Sequence, residues 1–333
     1  MTTRRLFIEK ISKGVALSTI ALSAPSGLAA NLMTSTDEEL KLIRIGIIGA
    51  ENSHTRNLGK LFNIDKKFPG VEVKYVWGET EAFALDAMKR GGIPNMVRDP
   101  KDMMGKIDAL IVDHRDGKYH LEAAYPFVKA GIPTFIDKPF SCDLQEAVEF
   151  LQMSHKLGTA VTSFSSIANS YDTFDIMDQV KELGEINQVV CYGPLDMSSK
   201  YNGVFFYGAH IIQPLMYIFG NDVKRVRITK NGKESSGANL VFGNGMLVTL
   251  VFTTKKYGWR TFVETDEGVV ELKSRLEKVA LKKNNVEMVE MFRTGKEPRS
   301  YQSILSGVAV LEALQKSVQS EEWEAVANVP EIQ

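Results

Sequence analysis

Short apolar runs alternate with amphipathic stretches through the first half of the chain. Leu42-Ile43-Arg44-Ile45-Gly46-Ile47-Ile48-Gly49 is an apolar run closed by glycine, the pattern of a strand buried on both faces of a parallel sheet. Ser53 can cap a helix carrying Leu58, Leu61 and Phe62 at helical spacing. A strand over 71–77 and a helix over 79–90, closed by Gly91-Gly92, follow. The alternation goes on with a strand over 107–112, a helix over 119–129, a strand over 133–136, a helix over 144–156 and a strand over 159–164. It predicts a doubly wound parallel sheet over 42–164 with right-handed crossovers, whose ligands sit at the carboxyl ends of the strands.

After Phe164 the rhythm changes. Helices are expected over 171–183 and 206–219, with a strand over 186–191 between them. Strands over 223–228, 238–242, 246–253, 259–264 and 269–272 then succeed one another. Asn231-Gly232, Gly243-Asn244-Gly245 and Asp266-Glu267-Gly268 lie at the turns. A helix over 301–318 closes the chain. Strands in succession predict a second, α+β domain over 165–330, with a mostly antiparallel open sheet and helices on one face.

The N-terminus reads as an address. Arg4-Arg5-Leu6-Phe7-Ile8, a small and apolar run over 14–24, and a small-residue end at Ala29-Ala30 describe a secretory signal peptide over 1–29, of the twin-arginine variety. The competing reading is a disordered basic tail. The apolar run is too short to span a bilayer, so no membrane span is expected in the mature chain. Residues 30–41 read as a polar linker. Cleavage after Ala29 leaves 36 basic against 40 acidic residues, a net charge of −4 in place of −1, which suits a soluble periplasmic protein and not a nucleic-acid binder. With 333 residues the chain has enough core to need no staple, so Cys142 and Cys191 are expected as buried free thiols.

Chemistry concentrates at the predicted strand ends. The first turn reads Gly49-Ala50-Glu51-Asn52-Ser53-His54. A dinucleotide fingerprint wants glycine at 49, 51 and 54, and only Gly49 is present. Glu51 brings a negative charge to the place where a pyrophosphate approaches the backbone. Two unit charges about 5 Å apart repel by roughly 3 kcal/mol at an effective dielectric of about 20, so Glu51 must turn away or the cofactor must bind differently. The acid that binds the ribose is expected at 78, where Gly78 stands, with Glu79 one step later. Asp113, His114 and His120 follow one strand, and Asp137-Lys138-Pro139 another. An amine at a strand tip, oriented by a carboxylate, can give or take the proton of a hydroxyl, which is the role expected of Lys138. Arg115, Asp116 and Lys118 read as a solvated loop.

With the second-domain pattern, these residues resemble the Gfo/Idh/MocA oxidoreductases, the group of glucose–fructose oxidoreductase and inositol dehydrogenase. The resemblance rests on Ile45 to Gly49, on His120 to Pro139 with Asp137 in place of a glutamate, on Gly184-Glu185-Ile186, on Gly208-Ala209-His210, and on Phe292 to Pro298. It covers about residues 42–325 and implies a Rossmann domain binding NAD or NADP, held tightly in an exported protein. It also implies hydride transfer to or from a sugar, cyclitol or glycoside over the second sheet, and pairing into dimers or tetramers through that sheet. Cofactor contacts then fall to Gly49, Ala50, Glu51, Asn52, Ser53, His54, Glu79, Asp113, His114, His120, Asp137 and Lys138. By the same resemblance Lys138 handles the proton and His210 is the second catalytic residue. Tyr207 is a further hydroxyl candidate beside the site. Phe206 departs from the pattern, since the family often has an aspartate there. Lys200, Tyr201, Trp259 and Arg260 are candidates for the walls of a sugar pocket.

Three alternatives stay open. One is a redox-assisted glycosidase of the same family. Another is a carbohydrate binder that keeps the scaffold without the cofactor. The third is a metal-dependent lyase or hydrolase drawing on His54, Asp113, His114, His120 and His210, whose spacing matches no metal motif. No metal is assigned from the sequence.

Overall fold

The chain begins its first sheet with the run that ends in Gly49. The computed structural model describes residues 42–232, 235–253, 258–277 and 279–332, so the expectations for 1–29 and 30–41 lie outside the described residues. In chain order the first elements are β1 (Ile43–Ile48), α1 (Ser53–Gly59), β2 (Val71–Trp77), α2 (Glu81–Gly91), β3 (Asn95–Met96), β4 (Ala109–Val112), α3 (His120–Lys129), β5 (Thr134–Ile136), α4 (Leu144–Leu157) and β6 (Val161–Thr162). They form a six-stranded parallel sheet in the order β3-β2-β1-β4-β5-β6. The order reverses between β1 and β4, which opens a crevice at their carboxyl ends. Ile45 and Ile47 enter the core on one side and Ile48, Leu110 and Val112 that on the other, so the near-continuous apolar runs are explained by burial on both faces.

α5 (Tyr171–Lys181), β7 (Gln188–Pro194) and α6 (Val204–Phe219) lead into β8 (Val223–Asn231), β9 (Ser235–Phe242), β10 (Leu247–Thr253), β11 (Arg260–Thr265) and β12 (Gly268–Leu272). This second sheet runs β12-β11-β7-β10-β9-β8-β13, where β13 is Glu324–Ala325. All its pairs are antiparallel except β7 with β10. Along β10 buried and more exposed residues alternate, as expected of a sheet with one covered face. Ile212 and Leu215 of α6, with Leu311 and Leu314 of the last helix, cover that face.

Two helices follow β12: α7 (Lys283–Thr294) and α8 (Tyr301–Ser320). α7 is not among the expected elements. Lys282 offers no side-chain cap, and of the helix's residues only Met288, Val289, Met291 and Phe292, all apolar, are buried. That apolar face packs on the core of the first sheet, 150 residues or more beyond the strands it covers, so its stability is tertiary. α8 touches both cores, Ile304, Leu305 and Val308 on the first sheet's side and Leu311 and Leu314 on the second's. The described residues from Leu42 onward accordingly form one compact unit. Both cysteines are free thiols, Cys191 buried and Cys142 half-buried, and burial pushes both up to about 12. No helix among the described residues is long and apolar enough to cross a membrane.

Candidate active site

The turn after β1 is shaped by close approach of backbone. Gly49 has φ +105°, and a Cβ there would lie 2.5 Å from the carbonyl carbon of Asp113. This brings the first turn against the end of β4. At the end of β2, a Cβ on Gly78 would lie 2.8 Å from the Ala84 nitrogen, so the position is too crowded for an acid, and Glu79 is the first carboxylate after the strand. The Glu79 carboxylate accepts from the N–H groups of Ala50 and Glu51, each at 2.9 Å, and from His114 Nδ1 at 2.9 Å. Burial opposes its charge, but the His114 bond and the two N–H groups lower it to about 2. Glu51 turns its own side chain away from the turn, and its Oε1 accepts from the Tyr201 hydroxyl at 2.5 Å.

This geometry gives a pH prediction. A carboxyl lowered in the folded state stabilises the fold above its ordinary value near 4.5, and that contribution is lost as the pH falls toward 2. Allowing for partial exposure, Glu79 contributes about 2 kcal/mol at neutral pH. Glu79→Gln should be less stable than wild type by that amount in urea at pH 7, and the gap should narrow below pH 4. A gap constant with pH would refute the account.

His54 stands where a third glycine would allow close helix–strand packing. Its ring faces the crevice, and Thr55, fully buried, makes the packing contact, its hydroxyl 2.7 Å from Gly49 O and 2.5 Å from Asp113 Oδ2. His54 Nδ1 lies 3.2 Å from Asp137 Oδ2 and 3.7 Å from Asp113 Oδ1. Asn52 donates from Nδ2 to Asp113 Oδ1 at 3.0 Å and to Asp137 Oδ2 at 3.3 Å, while its Oδ1 caps the His54 N–H. Asp137 raises His54 to about 10 against the cost of burial. Burial raises Asp113; it acts on Asp137 too, but His54 and Lys138 overcome it and hold Asp137 well below the carboxylate range.

Lys138 is buried, its Nζ 3.7 Å from Asp137 Oδ2 and 5.5 Å from the centre of the Phe206 ring. The apolar ring at 206 thus covers the ammonium with its π face. His210, on α6, shares a 2.7 Å hydrogen bond with Ser165 Oγ through Nδ1. Burial and the nearby Lys138 charge lower it to about 3, so it is a neutral imidazole at physiological pH. Tyr207 packs between Phe206 and His210, with ring centres 4.8 and 6.1 Å away.

Two adjoining cavities meet this edge. One of about 300 Å³ is lined by His54, Asp113, Asp137, Phe135 and Phe164. The other, of about 870 Å³, lies between α5, α6 and the β11–β12 edge of the second sheet, with His210, Trp259 and Arg260 in its wall. Ser166, Leu281, Lys282 and Asn284 line both. Of the four residues expected to wall a sugar pocket, Trp259 and Arg260 line the larger cavity. Lys200 and Tyr201 line neither cavity, and neither do Lys138 and Tyr207.

The structure therefore gathers Gly49 to His54, Glu79, Asp113, His114 and Asp137 at one edge. His120, expected among the cofactor contacts, is fully buried, with Nδ1 2.7 Å from Pro139 O and Nε2 2.9 Å from His114 O; both ring nitrogens are engaged, and the residue ties together the loops after β4 and β5. Arg115 and Asp116 are not simply solvated: Arg115 stacks on Tyr201 and Phe206 at 4.9 and 5.4 Å, and Asp116 accepts from Asn202, so these two clamp the segment before α6, while Lys118 is exposed as expected. The sequence carries no local signal for such contacts, which join residues about 86 positions apart. The same holds for Ser165 and Gln213: Gln213 Oε1 accepts from the Ser165 N–H at 2.6 Å and so fixes the partner of His210.

Comparison with known proteins agrees with this architecture. Residues 43–164 match the GFO_IDH_MocA family, an oxidoreductase family with an NAD-binding Rossmann fold. Among solved structures, the chain is similar to myo-inositol dehydrogenase from Lactobacillus casei in complex with NAD(H) and myo-inositol, with TM-score 0.73, 14% identity, and coverage of 87% of this chain and 98% of that one. It is also similar to scyllo-inositol dehydrogenase from Lactobacillus casei with NAD(H) and scyllo-inositol, with TM-score 0.71, 16% identity, and coverage of 86% and 100%. GenD2 from gentamicin A biosynthesis, in complex with NAD, gives TM-score 0.72, 13% identity, and coverage of 86% and 97%. At these identities the likeness is one of fold. No curated protein matches the chain.

Proposed function

We propose that the protein, whose residues 43–164 match the NAD-binding Rossmann domain of the Gfo/Idh/MocA oxidoreductases, is an exported NAD-dependent oxidoreductase of that type acting on a cyclitol, sugar or glycoside. The observation that carries this reading is the pair of joined cavities, one at the strand ends and one holding His210 under the second sheet. The residues at the strand ends fit a dinucleotide. Gly49 keeps the turn tight, Glu51 is drawn aside by Tyr201, and Glu79 stands at the end of β2 to accept from ribose hydroxyls. When bound, the nicotinamide supplies or accepts hydride. His210, neutral and held by Ser165 at Nδ1, orients a substrate hydroxyl from its other nitrogen, and Lys138 with Asp137 moves the hydroxyl proton. The Tyr201–Glu51 and Asn202–Asp116 contacts tie the segment before α6 to the cofactor edge, which supports a cofactor held tightly. Arg4-Arg5 and the apolar run after them support export. Tyr192, Leu247 and Val269, exposed on the second sheet, support pairing through that face.

Glu79 also favours NAD over NADP, because a 2′-phosphate would approach its carboxylate. The mature protein is therefore expected to release NAD on denaturation, read by mass spectrometry, and to bind added NAD at least about tenfold more tightly than NADP. The second reading, a cofactor-free carbohydrate binder, is favoured by one observation: Glu79 already occupies the Ala50 and Glu51 N–H groups. A nucleotide-free supernatant, with no thermal shift on adding either nucleotide, would establish that reading in place of the first.

A further inference from the structure

Three ligand-type atoms converge on the floor of the smaller cavity. His54 Nδ1, Asp113 Oδ1 and Asp137 Oδ2 all lie within 4.8 Å of one another. Around an octahedral ion with bonds of about 2.1 Å, adjacent donors stand about 3 Å apart and opposite ones about 4.2 Å apart. The separations of 3.2 Å and 3.7 Å from His54 to the two carboxylates are close to that range. The three residues come from different elements: the first turn of α1, the end of β4 and the end of β5. Their spacing in the chain therefore matches no metal motif, although the fold brings them together.

The surroundings also suit a cation. Asp113 and Asp137 are 1% and 6% exposed, so two carboxylates share a poorly solvated floor. Asp113 is held by Thr55 at its other oxygen, which leaves Oδ1 directed to the cluster. All three residues line the 300 Å³ cavity, which gives water or a ligand oxygen access to the remaining positions. In the structure the Asn52 amide and the His54 ring face the two carboxylates, and Lys138 Nζ stands 3.7 Å from Asp137 Oδ2, so an ion bound there shares that carboxylate with the ammonium. We propose that His54, Asp113 and Asp137 bind one divalent cation, with its open positions toward the cavity. One imidazole and two carboxylates suit an ion of the Mn²⁺ or Zn²⁺ kind over a thiolate-seeking one. On binding, the ion displaces the His54 proton and the Asn52 amide from the cluster. The site does not depend on the nicotinamide reading.

The mature protein as purified, freed of metal by chelation, is titrated with Mn²⁺, and free ion is counted by its electron paramagnetic resonance signal. One bound Mn²⁺ per chain is expected. Asp137→Asn and His54→Leu should each weaken it by roughly tenfold or more. Asp65→Asn, which removes a surface partner of Lys60, should leave it unchanged. Circular dichroism checks that each variant is folded, and the half-exposed His54 provides a variant that keeps the core intact. No saturable Mn²⁺ binding by the wild type, or equal affinity in all the variants, would overturn the site. Titrating NAD in the presence of chelator tests the nicotinamide reading separately.

Discussion

Lys138→Ala should lower turnover by roughly 10²–10⁴-fold while nucleotide binding survives. The lysine pairs with Asp137 Oδ2 at 3.7 Å and has an aromatic ring over it at 5.5 Å. It is buried, so its ammonium is not replaced by bulk water when the side chain is cut back. Removing it takes away the group proposed to move the hydroxyl proton, while Glu79 and the turn at Gly49 are untouched. Asp137 retains His54 and Asn52 as partners, so the loss of stability is confined to about 1–3 kcal/mol, and the fold persists. The measurement is kcat on the substrate the wild type is found to turn over, beside a Kd for NAD and a melting curve. Full turnover in a folded variant would remove Lys138 from the proton path. Loss of NAD binding together with turnover would instead make it a cofactor residue.

Gly49→Ala should have the largest effect on stability. The backbone there has φ +105°, outside the regions open to a residue with a Cβ. The added carbon would lie 2.5 Å from Asp113 C and 2.6 Å from Asp113 O and His114 N, all of them backbone atoms that no rotamer change can move. Strain and collision together cost about 3–5 kcal/mol, a large part of the stability of one cooperative unit. Chemical denaturation should show that loss, with weaker NAD binding because Asp113 and His114 are pushed from the first turn. A variant within about 0.5 kcal/mol of wild type would mean that the turn is not built as described.

Most of the fold was legible in the chain. Parallel strands buried on both faces must be apolar throughout, and a sheet with one covered face must alternate, so the two sheets leave different patterns in 43–162 and 223–272. Such patterns are local, and a reader needs only a short window to find them. α7 escaped because it has no capping side chain and its apolar face is matched by strands far back in the chain. The site was legible where chemistry sits next to a strand end, as at Asp113, His114, Asp137 and Lys138. It was not legible in its pairings. Whether Glu51 blocks the crevice depends on Tyr201, 150 positions away, and Gly78 yields to Glu79 because Ala84 crowds it.

By itself the sequence determined most of the strands and helices, where the first sheet's strands end, and which ionisable residues leave them there, because burial and backbone periodicity act over a few residues at a time. Only the tertiary structure decided that Glu79 takes the Ala50 and Glu51 N–H groups, that His120 is a tie between loops, and that His54 meets Asp113 and Asp137. Charges and hydrogen bonds act over a few ångströms in space, and the distance along the chain between two partners does not constrain that.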